Sequence, residues 1–227
     1  MGGSAALSSA PAPPRGVLWD VDGTLVDSAE QHYEAWRVTL AECGRSFDHE
    51  EFAAGFGQRN DAILRRTLGA QITAQDIQRI GDAKEARYRE LVRTRGITTL
   101  PGVREWLGQL RADGWRQAIA SSGPLLNART IIAALDLEGT FGAVVSAEDV
   151  PHGKPDPDVF LAAAARLDVA PARCVVVEDA PAGVEAGRRA GMRTLGVLTT
   201  HARLDADYTV RSLADLDREA FDALLGR

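Results

Sequence analysis

Short apolar runs and amphipathic stretches alternate along most of this chain. The apolar runs are Val17-Leu18-Trp19, Gln117-Ala118-Ile119-Ala120, Ala143-Val144-Val145, Cys174-Val175-Val176-Val177 and Thr194-Leu195-Gly196-Val197. Continuous runs of this length suit strands buried on both faces, and their alternation with helical stretches predicts a parallel sheet flanked by helices. One such helix carries Val103, Trp106, Leu107 and Leu110 on one face.

The alternation breaks between about Asp27 and Thr98, where helical periodicity carries almost no strand signal. Tyr33, Trp36 and Leu40 share one helical face, Ile63, Leu64 and Leu68 suggest a second helix, and Ile77, Ile80 and Leu91 a third. Gly44, Gly57 and Gly69 punctuate them. The stretch is too long for one ordinary crossover, which argues for a separate helical cap inserted after the first strand. The alternative is that these helices simply flank one sheet. The expected division is a tail over 1–14, a core over 15–28 and 99–227, and a small helical cap over 29–98.

Polar residues follow three of the strand runs: Asp20-Val21-Asp22-Gly23-Thr24 after Trp19, Ser121-Ser122-Gly123 after Ala120, and Glu178-Asp179 after Val177. Ligands of open parallel sheets bind at the carboxyl ends of the strands, so these clusters point to one site. Asp20 can face the cleft as nucleophile and metal ligand, and Asp22, two residues on in extended chain, shares its side. Two carboxylates there allow one to attack and the other to shuttle a proton. A lone Asp-Gly would read as a solvated turn.

The other clusters are weaker taken singly. Ser121 and Ser122 could hold phosphate oxygens at a helix N-terminus, or Ser121 could be an ordinary N-cap. Lys154, in Gly153-Lys154-Pro155-Asp156-Pro157, could offset phosphate charge, though most lysines are merely solvated. Glu178 and Asp179 offer the hard oxygens magnesium prefers, or they decorate a helix N-terminus.

In order and spacing the four clusters together resemble the haloacid dehalogenase-like superfamily, over about Gly16 to Asp215. Asp20-Val21-Asp22-Gly23-Thr24 looks like its first motif, Ser121 its second, Lys154 its third and Glu178-Asp179 its fourth. The resemblance implies a doubly wound, Rossmann-like α/β core with a cap, and magnesium-dependent phosphoryl transfer. Asp20 would form an aspartyl-phosphate and Asp22 would act as acid and then base. Ser121 and Lys154 would hold the phosphoryl oxygens. Magnesium would bridge Asp20, the Asp22 carbonyl, Asp179 and Glu178. An acid at Asp22 argues against a dehalogenase, which needs no proton on its leaving halide. Undamaged motifs argue against a non-catalytic binding module.

Asp27 to Trp36 resembles the β-phosphoglucomutases and related sugar phosphatases. That resemblance implies substrate-facing roles for His32, Trp36, Arg59 and Lys84, although Trp36 also reads as cap core. Gly123-Pro124-Leu125-Leu126, just after the second motif, supplies no side-chain donor for a second phosphate. The expectation is therefore a phosphatase of small phosphate monoesters, sugar phosphates above all, with a mutase as the alternative.

Composition narrows the partners. The chain is 26% charged and 45% hydrophobic, an ordinary globular balance that argues against wholesale disorder. Its net charge of −6, without a basic run, argues against nucleic-acid or anionic-membrane partners. No apolar stretch spans a bilayer, and 1–14 lacks the pattern of a secretion signal. Cys43 and Cys174 are far apart, so they form no metal-like pair. A monomeric cytoplasmic enzyme acting on a small phosphorylated metabolite is expected.

Overall fold

The computed structural model describes residues 12–226; most of the expected N-terminal tail lies outside them. In chain order the elements begin with β1 (Gly16–Trp19), then α1 (Ala29–Glu42), α2 (His49–Ala53), α3 (Asn60–Leu68) and α4 (Ala74–Arg95). They continue with α5 (Val103–Ala112), β2 (Arg116–Ala120), α6 (Leu125–Ala134), β3 (Ala143–Val145), α7 (Asp158–Arg166) and β4 (Cys174–Glu178). The last elements are α8 (Pro181–Arg189), β5 (Arg193–Val197), β6 (Tyr208–Val210) and α9 (Ala220–Leu224).

The six strands form one parallel sheet in the order β3-β2-β1-β4-β5-β6. Strand β1 is central, pairing with β2 on one side and β4 on the other. Its alternate side chains enter different cores. Val17 and Trp19 pack with Trp106, Leu110, Ile131 and Phe221, whereas Leu18 packs with Val159, Phe160, Ala163 and Ala186. That two-sided burial is why the strand reads as an unbroken apolar run.

The five expected strand runs are all strands; β6 was not expected. It is a three-residue edge strand in which only Val210 is buried, too short and too exposed to stand out as a run.

Helices α1 to α4 occupy the stretch without strands. Trp36, Leu40, Phe47, Phe52, Ile63, Leu64 and Ile80 form a third core among themselves. Ala35, Tyr88 and Val92, by contrast, join the core on one face of the sheet. Helix α2 was missed because its five residues carry little periodicity. Its local signal was a capping box, with Asp48 accepting from the Glu51 amide while Glu51 reaches back to the Asp48 amide. Among the described residues no helix is long and apolar enough to cross a membrane.

Candidate active site

The site sits where β1 lies between β2 and β4, at the strands' carboxyl ends. Asp20 directly follows β1, and its amide still bonds the Val177 carbonyl of β4 at 3.0 Å. Ser121 directly follows β2, its amide bonded to the Val145 carbonyl at 2.9 Å. Glu178 is the last residue of β4, with Asp179 next. Strand pairing thus brings residues 158 positions apart to one edge.

Lys154, from the loop between β3 and α7, ties these strand ends together. Its ammonium donates to Asp20 Oδ1 at 2.5 Å, to Glu178 Oε1 at 2.7 Å and to the Ala120 carbonyl at 3.1 Å. Burial alone would lower its pKa, but Asp20 and Glu178 hold it above the usual lysine value. Glu178 Oε2 accepts from the amides of Asp179 and Ala180, each at 2.9 Å. Glu178, expected among the metal ligands, is here bonded otherwise: one oxygen holds Lys154 and the other takes the two amides just ahead of α8. Helix α8 comes this close because Gly183 has no side chain; a Cβ there would collide with the Glu178 carboxylate.

Asp22 faces the helices instead. Its Oδ1 accepts from the Ser28 hydroxyl at 2.6 Å, from His32 Nε2 at 3.0 Å and from the Tyr88 hydroxyl at 3.4 Å. His32 Nδ1 in turn accepts from the Lys84 ammonium at 2.7 Å, and the ring stacks on Tyr88. Burial would raise the Asp22 pKa, but His32, Ser28 and Lys84 bring it down to about 2. Gly23 turns the chain away from Asp22 at a φ of 83°, and a Cβ there would strike the Asp179 carboxylate.

Asp20 and Asp179 are electrostatically undercompensated. Burial pushes Asp20 up to about 7; Lys154 opposes this, and Glu178 and Asp22 add to it. Asp179 is also raised, by burial and then by Glu178 and Asp20, although Thr24 and Thr200 donate to its carboxylate. Buried hard oxygens in excess of positive charge are a donor set suited to magnesium. Among the described residues no three acidic or histidine side chains already form a cage. Asp20 and Asp179 alone suit an ion that keeps most of its water.

One cavity joins these groups. Asp20, Asp22, Ser121, Ser122, His32, Trp36 and Lys84 all line it, together with Phe56, Gln58, Asn60 and Glu85. Among the described residues the Ser122 hydroxyl, buried there, has no hydrogen-bond partner. Trp36 lines the cavity and also belongs to the helices' own core.

Arg59 departs from expectation. Its guanidinium donates to the carbonyls of Ala147, Val150 and Pro151, at 3.0, 2.9 and 3.2 Å, and its stem lies against Gly153. It points at the loop leading to Lys154 and away from the cavity. Sequence reasoning missed Ser28, Tyr88, Thr200, Asn60, Glu85 and Asn127. For Tyr88 the signal was its four-residue spacing from Lys84 on one helix. A further signal was that Lys84 and Lys154 are the only lysines among 26 basic residues.

The haloacid dehalogenase-like hydrolase profile matches residues 14–191 of this chain. The chain belongs to that family. Among its relatives, β-phosphoglucomutase of Bacillus subtilis is 35% identical over 211 residues, spanning 90% of this chain and 92% of that protein. Hexitol phosphatase A of Escherichia coli is 39% identical over 185 residues, spanning 81% and 82%. The crystal structure of a CbbY variant from Rhodobacter sphaeroides with xylulose-1,5-bisphosphate superposes with a TM-score of 0.80 at 27% identity. It covers 89% of this chain and 96% of that one. Within the haloacid dehalogenase-like hydrolases the chain thus groups with the sugar phosphatases and mutases.

Proposed function

We propose that this chain hydrolyses small phosphate monoesters, sugar or sugar-alcohol phosphates above all, through an aspartyl-phosphate on Asp20. It is a phosphoryl-transfer enzyme. The observation that carries the reading is one cavity in which the Asp20 carboxylate lies 2.5 Å from the Lys154 ammonium, beside a second carboxylate and two serine hydroxyls.

In the first step Asp22 takes up a proton from solvent as the substrate displaces its donors, an Asp20 oxygen attacks phosphorus, the ester P–O bond breaks, and Asp22 passes that proton to the leaving oxygen. In the second step Asp22 takes a proton from water, the water oxygen attacks phosphorus, and inorganic phosphate leaves Asp20. Lys154 and the Ser121 and Ser122 hydroxyls meet the phosphoryl oxygens, whose charge grows most in transit. The Ser28, His32 and Tyr88 donors keep Asp22 an ionised base at rest. The arriving leaving group must therefore displace some of these donors before Asp22 can carry a proton. Asp20, the Asp22 carbonyl and Asp179 are the oxygens that would hold magnesium, which supplies charge neutralisation at the phosphoryl group. Glu178 acts through Lys154, fixing the ammonium from below. In this reading residues 29–98 form the cap that closes over the substrate.

The hexitol phosphatase relative favours hydrolysis, and the mutase relative favours phosphosugar isomerisation. Arg59, turned to backbone carbonyls, and the donor-free Gly123 to Leu126 leave no clamp for the second phosphate a mutase must hold. The deciding assay supplies β-glucose 1-phosphate, magnesium and a trace of glucose 1,6-bisphosphate. Free phosphate is expected; rapid glucose 6-phosphate with little free phosphate would replace the hydrolase reading with the mutase one.

A further inference from the structure

Lys84 and Glu85 stand side by side on α4 at the cavity wall. The Lys84 ammonium is buried, bonded to Glu85 Oε1 at 2.9 Å and to His32 Nδ1, with the Trp36 and Tyr88 rings about it. Glu85 is only 4% exposed. Its Oε1 also accepts from Asn60 Nδ2 at 2.8 Å, and its Oε2 from Asn127 Nδ2 at 2.6 Å. Asn127 belongs to α6, on the sheet side of the cavity, and its own oxygen accepts from Arg89 at 2.9 Å. A buried carboxylate is costly unless paired and hydrogen-bonded, and this one is both. Burial would raise its pKa, but Lys84, His32 and the two asparagines hold it below the usual glutamate value. Glu85 bonds neither Asp20 nor Asp22, so the two chemical steps do not use it.

Its effect falls on the far end of the substrate. Among the described residues, Lys84 is the one lysine or arginine lining the cavity, and Glu85 cancels its charge. Arg59 is committed to the carbonyls of 147–151. A second phosphate or a carboxylate would therefore meet no uncompensated positive charge and would face Glu85 itself. A neutral polyhydroxyl chain would instead meet the Glu85 oxygens as acceptors, the Asn60 and Gln58 amides, and the Phe56 and Trp36 side chains.

We propose that Glu85 is a specificity-determining residue. By neutralising Lys84 within the wall, it reserves the distal end of the cavity for uncharged polyol or sugar groups and excludes substrates with a second anionic group. The inference rests on the monoester reading above and refines its substrate class.

The test reads binding, so it stands apart from turnover. Calorimetry on the full chain carrying Asp20→Asn, with magnesium at pH 7.5, compares glucitol 6-phosphate with 6-phosphogluconate, the same six-carbon chain ending in a carboxylate. Fructose 1,6-bisphosphate is the third ligand. Glucitol 6-phosphate is expected to bind at least tenfold tighter than either. Adding Glu85→Gln should shrink that preference to about threefold or less, and adding Lys84→Met instead should widen it. The opposite signs separate a charge effect from general damage, and the Lys84→Met arm stands if the Glu85→Gln chain does not fold. Equal affinities with only Asp20→Asn present, or a preference untouched by both further substitutions, would overturn the proposal. Failure of native enzyme to release phosphate would instead sink the hydrolase reading and leave these affinities standing.

Discussion

The Lys154 ammonium lies 2.5 Å from the Asp20 carboxylate across 134 residues of chain, and the same nitrogen holds Glu178 at 2.7 Å. One lysine thus serves two buried carboxylates, with Asp179 close by as a third. The reactivity and the pH behaviour of the site follow from that shortage of positive charge.

Asp20→Asn should abolish phosphate release, by about a thousandfold or more, because an amide oxygen forms no phosphoenzyme. The variant should remain folded, since asparagine can still accept from Lys154. Phosphate release and a thermal melt on the same preparation check both points. Native-level turnover in protein free of wild-type enzyme would remove Asp20 from the nucleophile role.

The raised pKa of Asp20 gives magnesium binding a definite pH dependence. An acid whose folded pKa is raised stabilises the fold below its ordinary value near 4, and that contribution is lost as pH rises through about 7. Metal-free protein should therefore lose stability between about pH 4 and 7. A proton competes with magnesium across the same window, so the rise in Tm on adding magnesium should be larger at pH 8 than at pH 5.5. Asp22, lowered to about 2, acts outside that window. Melts with chelator and with magnesium at the two pH values decide it; a pH-independent increment would contradict the account.

Gly183→Ala tests the support of Lys154. Alanine would add up to about 1 kcal/mol of helix propensity, but its Cβ would land on the Glu178 carboxylate. The expected net effect is a loss of about 1–3 kcal/mol in denaturant unfolding and at least a tenfold fall in phosphate release. A stabilised, fully active variant would show that Glu178 has room to move.

Arg59→Met separates a latch from a substrate contact. Losing the bonds to Ala147, Val150 and Pro151 should cost about 1–2 kcal/mol and speed limited proteolysis of the 147–153 loop. KM for small monoesters should stay within about threefold. A tenfold rise in KM at unchanged stability would mean that Arg59 reaches the substrate.

By itself the sequence determined five of the six strands and the placement of three of the four motif clusters at strand ends. Those signals are local: a strand buried on both faces must be apolar throughout, and the next polar residue marks its exit. Tertiary structure alone decided where charged side chains on shared surfaces spend their hydrogen bonds. Glu178 sits one residue from Asp179 in sequence, yet its oxygens go to Lys154 and to the start of α8. Arg59, expected to face the substrate, has its guanidinium taken by the carbonyls of a loop some 90 residues later. Glu85 carries no sequence signal of its own, and only Asn60 and Asn127 closing around it give it a role. Each depends on partners that only the packing of the helices against the sheet brings within reach, and no periodicity along the chain encodes them.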